Sequence, residues 1–165
     1  MSRRPYEYLL SVGSNIEPAL WIPRGLAFLK RRFDVRAVSP SYDVPAEGLT
    51  EQPAFVNLAV RLSTDLPPRP LRMACRTIEA LCLRVRTEDR NAPRTLDLDV
   101  AYGAEPWTVA EGLPDPDLIR CGYVLVPCAD IWPEALEPAA GLTLRALVEE
   151  RFPDWAAEHL RPEDV

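Results

Sequence analysis

The chain has 165 residues, of which 47% are hydrophobic and 27% charged. These are ordinary proportions for a globular protein with its own core, unlike those of disordered, collagenous or coiled-coil chains. Its formal net charge of −6 speaks against nucleic-acid phosphates or an anionic membrane surface as partners, since both call for a basic face. Eighteen prolines, about twice the usual share of roughly 5%, predict stiff connections and short helices. Residues 6–12 alternate Tyr, Leu and Val and stop at Gly13, which predicts a strand. Gly13-Ser14-Asn15 is a turn. Residues 18–32 carry Leu20, Leu26, Ala27 and Leu29 near helical spacing and close on Lys30-Arg31-Arg32, which suits a helix C-terminus. Residues 33–42 predict one further strand, and residues 43–53, with Pro45, Gly48 and Pro53, a long loop of the kind that carries function.

The clearest strand spans residues 54–63. Val56, Leu58, Val60 and Leu62 alternate with Phe55, Asn57, Ala59 and Arg61, so the aliphatic set faces the core. Residues 67–83 follow as a helix with Leu71, Cys75, Ile78 and Cys82 along one stripe. A second loop, 84–94, holds Arg84, Arg86, Arg90 and Arg94 among Glu88 and Asp89. It leads into a strand at 95–102 with Leu96, Leu98 and Val100 on one face and Asp97, Asp99 and Ala101 on the other. Residues 107–109 suggest a short returning strand and 113–117 a proline loop. Residues 122–131 are apolar and fit either strand or helix, and 142–152 and 153–160 predict two short helices. The order β-α-β-β-α-β, then helices, predicts an α+β fold, an antiparallel sheet with a ferredoxin-like core. No repeat or linker divides the chain, so residues 1–165 are expected to form one domain.

The chemistry centres on Asp97 and Asp99. Residues i and i+2 of a strand point the same way, and two like charges side by side either face solvent or share a cation. Magnesium takes one or two carboxylates, several waters and substrate phosphates. The arginines just upstream either pair with local acids or bind phosphate oxygens through their planar forks. Together the two groups meet the needs of phosphoryl transfer. No Gly-x-x-x-x-Gly-Lys-Ser/Thr and no Gly-x-Gly-x-x-Gly occurs, which excludes P-loop and Rossmann enzymes. Phe55 beside Asn57 is either a half-exposed ring on an amphipathic sheet or a seat for a flat heterocycle, one face stacked and one edge hydrogen-bonded. A single histidine, His159, excludes a histidine-rich metal site. The cysteines Cys75, Cys82, Cys121 and Cys128 are widely spaced and predict buried thiols in a reducing cytoplasm, and no run of 18 apolar residues spans a membrane.

Pro93-Arg94-Thr95-Leu96-Asp97-Leu98-Asp99 resembles the core motif of the 6-hydroxymethyl-7,8-dihydropterin pyrophosphokinases of folate biosynthesis. The resemblance extends to Gly13-Ser14-Asn15, Gln52-Pro53-Ala54-Phe55-Val56-Asn57, Ile78-Glu79, Arg84-Val85-Arg86 and the stretch from Leu113 through Pro133-Glu134, and so covers most of the chain. It implies a three-layer α-β-α arrangement and transfer of pyrophosphate from ATP to the pterin hydroxymethyl group, leaving AMP. It further implies that Asp97 and Asp99 hold two magnesium ions bound with ATP. Phe55 and Tyr123 would sandwich the pterin, Asn57 would bond its edge, and backbone around Val44 and Ala46 would complete the pocket. Arg84 and Arg94 would be catalytic contacts to phosphate, with Glu79 and Arg86 also at the nucleotide, and residues 84–93 would form a lid; Arg120 joins them if it substitutes, by a local register shift, for the arginine the family has at Cys121, and otherwise the handling of ATP has changed. Departures fall on the nucleotide side: Asp115 where the family has histidine, Pro116 where an aromatic is frequent, Cys121 where an arginine stands, and Asn91 for a lid tryptophan. The expected protein is a cytoplasmic monomer or weak dimer that takes ATP and a hydroxymethyl pterin. The alternative is a divergent pterin-binding homologue with lost or altered transfer.

Overall fold

The computed structural model describes residues 5–46 and 51–162, so Gly48 of the expected long loop lies outside the described residues. Strand β1 (Tyr6–Ser14) leads to helix α1 (Pro18–Arg32), then β2 (Asp34–Val38) and β3 (Tyr42–Val44). Strand β4 (Phe55–Thr64) and helix α2 (Pro68–Leu81) follow, and β5 (Asp97–Gly103) closes the central sheet. A 3-10 helix (Pro106–Glu111), α3 (Asp117–Arg120), α4 (Gly122–Ile131), β6 (Leu136–Glu137), β7 (Leu142–Thr143), α5 (Leu144–Arg151) and α6 (Trp155–His159) complete the described chain. The strands run β2-β4-β1-β5, with β3 continuing the edge beside β4, and every pairing is antiparallel.

Alternation along the strands sorts the side chains into two cores. Tyr8, Leu10 and Val12 of β1 point one way, with Val56, Leu58, Val60 and Leu62 of β4 and Leu98 and Val100 of β5. Trp21, Ile22 and Leu29 of α1 and Leu71, Cys75 and Ile78 of α2 cover them. Leu9, Ala59 and Ala101 point the other way, under Val124, Leu125 and Cys128 of α4 and Leu144 and Leu147 of α5. Each fully buried Leu or Val is worth about 1.5–3 kcal/mol, so the register of these strands is strongly fixed: a slip of one residue would exchange the two faces.

Four expectations change. The single strand over 33–42 is two strands, because Pro40 has no N–H to donate and the chain leaves its ladder there, after the Ser39 N–H has donated to the Ala59 carbonyl at 2.9 Å. The loop expected from residue 43 begins later, since Asp43 and Val44 pair with β4. The returning strand at 107–109 is the 3-10 helix instead, entered through Pro106 and closed by Gly112 at φ 84°. Leu142 and Thr143 form a two-residue strand before the helix, where the Thr143 hydroxyl accepts from the Ala146 N–H at 3.2 Å as an N-cap. The ambiguous 122–131 segment is helical. It is buried on nearly all sides, which erased the amphipathic stripe that marks a helix in sequence. Of the four cysteines, Cys121 is only half-buried; none of the four is in a disulfide.

Candidate active site

Helix α4 covers only part of its face of the sheet, and the uncovered part is a cleft. Strand register builds its floor. Tyr42 pairs with Asn57, Asn57 with Gly13, and Gly13 with Asp97, so four strands contribute one row. The next row holds Ala59, Ser11 and Asp99, and on the other side Val44 pairs with Phe55. Directly paired residues share a face, so the aromatic-amide pair and the two aspartates stand on neighbouring rows of one surface. Gly13 leaves the Asn57 amide its place. A Cβ on it would lie 2.9 Å from the Asn57 amide nitrogen and 3.8 Å from the Phe55 ring.

This cleft, about 250 Å³, is lined by Val44, Pro45, Phe55, Asn57, Asp97, Asp99 and Tyr123 among others. Phe55 is half-buried, while Asn57 is buried and its amide nitrogen reaches the Val12 carbonyl at 3.5 Å. A second cleft of about 410 Å³ shares Arg90, Arg94, Asp97, Asp99 and Asp115 with the first and runs along α2. It is walled by Arg72, Arg76, Glu79, Arg84 and Arg86.

Ion pairs decide what these arginines can do. Glu79 is 2% exposed. Its carboxylate accepts from Arg84, from Arg86 at 2.8 Å and from the Leu98 N–H at 3.1 Å. Arg84 also donates to Asp97 at 2.8 Å, and Arg94 donates to the other oxygen of Asp97 at 3.2 Å. Burial disfavours the charge on Arg84, but Asp97 and Glu79 outweigh it and raise its pKa. Arg94 is further held by the Ala92 carbonyl at 3.2 Å and by the Arg90 carbonyl. Asp99 makes no ion pair among the described residues and opens on the cleft. Desolvation by the surrounding walls, then the negative charges of Asp97, Glu79 and Asp115, push its carboxyl up to about 7. Crowded carboxylates of this kind fit a divalent cation, whose charge would relieve the repulsion.

One residue ties the irregular segments to this frame. Asn15 is 3% exposed. Its amide donates to Gln52 at 2.9 Å and to the Pro53 carbonyl at 3.3 Å, and its carbonyl accepts the Arg94 N–H at 2.8 Å. Gln52 in turn donates to the Asn91 carbonyl at 2.5 Å. The residues before β4 and the arginine loop before β5 are therefore fastened to the turn after β1.

Residues 9–133 match the profile of the 7,8-dihydro-6-hydroxymethylpterin-pyrophosphokinase family. The chain belongs to this family. It is 36% identical over 149 residues to the 2-amino-4-hydroxy-6-hydroxymethyldihydropteridine pyrophosphokinase of Methylorubrum extorquens, covering 87% of this chain and 92% of that one. The protein of the same name from Pseudomonas aeruginosa is 37% identical over 134 residues, 78% of this chain and 82% of its own. In fold the chain is similar to wild-type Plasmodium falciparum HPPK-DHPS, with a TM-score of 0.68 at 12% identity; 95% of this chain aligns with 46% of that one.

Against the pyrophosphokinase expectations, the cleft brings together Val44, Phe55, Asn57, Tyr123, Asp97, Asp99 and Arg94. Glu79, Arg84 and Arg86 stand on the adjoining wall. Arg120 and Ala46 line neither cleft. Arg120 is the exposed last residue of α3. Asp115 does line both clefts, and its carboxylate accepts the Asp117 N–H at 2.8 Å, which starts α3. Sequence reasoning passed over Arg72 and Arg76. Their i, i+4 spacing on α2, on the side of the helix that reaches Glu79, is the signal that marks them. It also passed over the clamping role of Asn15, for which a buried Asn after a Gly-Ser turn gives only a faint cue.

Proposed function

We propose that the protein transfers a pyrophosphoryl group from ATP to the hydroxymethyl oxygen of 6-hydroxymethyl-7,8-dihydropterin, releasing AMP, as a single domain of residues 1–165. The observation that carries this reading is the register that sets Asn57 and Asp97 in one row, with Phe55 and Asp99 in the rows on either side, at the seam between a half-apolar cleft and an arginine-walled one. The β2-β4-β1-β5 order supports a ferredoxin-like core within an α-β-α sandwich. The bacterial relatives named above carry the pyrophosphokinase name, which weighs for transfer against a binding-only homologue.

In this reading Phe55 and Tyr123 enclose the pterin ring, Asn57 hydrogen-bonds its edge, and the backbone at Val44 completes the seat. Stacking and edge recognition orient the hydroxymethyl group toward the aspartates, and such orientation lowers the barrier by removing misaligned encounters. Asp97 and Asp99 are the residues that would hold two magnesium ions. The ions, when bound with ATP, supply positive charge to the phosphate oxygens. Arg84, Arg86 and Arg94 contact phosphates once ATP competes for them, and Arg72, Arg76 and Arg90 add positive charge along the nucleotide cleft. Glu79 positions Arg84 and Arg86 rather than touching the nucleotide. Cysteines that form no disulfide accord with a cytoplasmic protein, and we propose a monomer or weak dimer. Calorimetry with the hydroxymethyl pterin and with a non-hydrolysable ATP analogue, each with magnesium, and AMP formation from ATP test the reading. Binding of both with AMP release is expected; pterin binding without AMP release would favour the binding-only homologue.

A further inference from the structure

The residues after 133 lie outside the family match, yet they reach both walls of the pterin cleft. Helix α6 opens with Trp155. Its indole meets the Tyr42 ring at 5.2 Å between centroids, tilted by 47°. A Cβ added to Gly122 would come within 2.6 Å of the Trp155 indole nitrogen, so the ring lies directly on the backbone at the start of α4. His159 stacks on Trp155 at 4.2 Å and 11°, with its Nδ1 2.9 Å from the Trp155 carbonyl, and so fixes the indole within its own helix.

The chain beyond α6 then joins the sheet edge. Leu160 bridges to Tyr42, and the Arg161 N–H donates to the Ser41 carbonyl at 3.0 Å. Strand β3 has only three residues and pairs with β4 on one side. A strand that short is weakly held by itself, and the carboxy-terminal segment supplies its second partner. The Tyr42 phenol also donates to Asp130 near the far end of α4. Helix α4 is therefore tied to β3 at two points: Tyr42–Asp130 at its C-terminal end, and Trp155 at its N-terminal end.

The position of these ties gives them a functional consequence. Tyr42 is two residues before Val44, and Gly122 immediately precedes Tyr123. Val44 and Tyr123 belong to the sheet side and the helix side of the same cleft. We propose that Trp155 is a positioning residue that sets the distance between these two walls, and with it the width of the slot that receives the pterin. The inference rests on the pterin reading of the cleft. It assigns no contact between Trp155 and substrate; the indole acts through Tyr42 and Gly122.

The test compares four full-length proteins: the parent, Trp155→Ala, Trp155→Phe and Gly122→Ala. Calorimetry measures affinity for the hydroxymethyl pterin and, separately, for a magnesium-bound non-hydrolysable ATP analogue; melting temperature is followed in parallel. Trp155→Ala is expected to weaken pterin binding by roughly tenfold, the scale for a site loosened by a fraction of an ångström, and to leave nucleotide affinity within about twofold, because Trp155 does not border the arginine cleft. Trp155→Phe should recover most of the loss. Gly122→Ala should reproduce it without removing any ring, since the new methyl displaces the indole. Pterin affinity unchanged in both Trp155→Ala and Gly122→Ala would overturn the inference. So would a parallel fall in pterin and nucleotide affinity that tracks lost stability, which is the mark of a purely structural residue. A parent that binds nucleotide but no pterin would instead remove the reading of the cleft on which the inference stands.

Discussion

The two halves of the cleft are built by different physics. On the aromatic-amide side, Phe55, Asn57, Gly13 and Val44 hold their places because their strands pair in one register, and two buried cores enforce that register. On the arginine side, the groups come from residues 84–94, which are mostly irregular, and from α2, and ion pairs hold them: Arg84 and Arg86 on Glu79, Arg84 and Arg94 on Asp97. A backbone ladder fixes a side chain whether or not ligand is present. An ion-paired arginine is fixed only until a better anion arrives. On the proposed reading the first half is thus a preformed seat, and the second a set of cations held on carboxylates until a polyphosphate displaces them. The aspartate pair sits where the halves meet and belongs to both: its positions are set by β5, its charge is managed by the loop.

The largest expected effect comes from removing that shared pair. Asp97→Asn and Asp99→Asn should each lower AMP formation about a hundredfold or more, the usual cost of losing one charge-stabilising group. The structure separates them in stability. Asp97 accepts from two largely buried arginines, so Asp97→Asn should cost about 1–3 kcal/mol in denaturant titration. Asp99 has no such partner and is crowded by like charge, so Asp99→Asn should be neutral or stabilising. Equal stability losses in the two variants would contradict the ion-pair arrangement.

Next in size is the carboxylate on which the arginine half depends. Glu79→Gln leaves Arg84 and Arg86 without their shared counter-charge in a site where Glu79 is 2% exposed. A loss of about 3–5 kcal/mol, the range for breaking a buried pair, is expected. Nucleotide affinity should fall while pterin affinity in the surviving folded protein holds. A fall in both would mean the halves are less separate than their construction implies.

Smaller again is the stacking ring. Phe55→Ala should weaken pterin binding by about 1–3 kcal/mol, the scale for losing a base-aromatic stack, and leave the ATP analogue unaffected. Calorimetry with each ligand measures both.

The contrast also explains what the sequence disclosed. Period-2 alternation along 54–63 and 95–102 placed Phe55, Asn57, Asp97 and Asp99 on the right faces, because alternation is a backbone property that a single chain displays. Alternation cannot show which strands are neighbours, so the row Tyr42-Asn57-Gly13-Asp97 was invisible until pairing was known. The arginine loop was legible as a composition but not as a network: charge runs do not state which carboxylate each guanidinium chooses, and nothing in the sequence showed that Glu79 anchors two arginines. Helix α4 hid its type because burial on all sides removes the amphipathic period.

The smallest expected effect concerns Asp115, where the sequence resemblance led to an expected histidine. Its carboxylate has two roles. It caps α3 through the Asp117 N–H, and it adds negative charge to the cleft, contributing to the elevation of Asp99 to about 7. Asp115→Asn separates them, because asparagine caps a helix as well as aspartate does but carries no charge. In the metal-free parent, Asp99 is ionised in the unfolded chain from the ordinary carboxylate range upward, but in the folded protein only above about 7. Between those limits the folded state holds the extra proton, so this group's contribution makes the protein less stable as pH rises through the window. Ligand binding runs the opposite way. On the proposed reading, magnesium-bound nucleotide needs the ionised carboxylate, so its affinity should rise with pH through about 7. Removing the charge at Asp115 lowers the Asp99 pKa, and so moves that rise to lower pH and strengthens nucleotide binding at pH 6.5 severalfold, an energy on the order of 1 kcal/mol for one partly screened charge. Calorimetry of the ATP analogue with magnesium from about pH 5.5 to 8.5, parent against Asp115→Asn, reads the midpoint directly. A midpoint that does not move would mean that the anion at Asp115 is spent on its helix and does not burden the nucleotide half of the cleft.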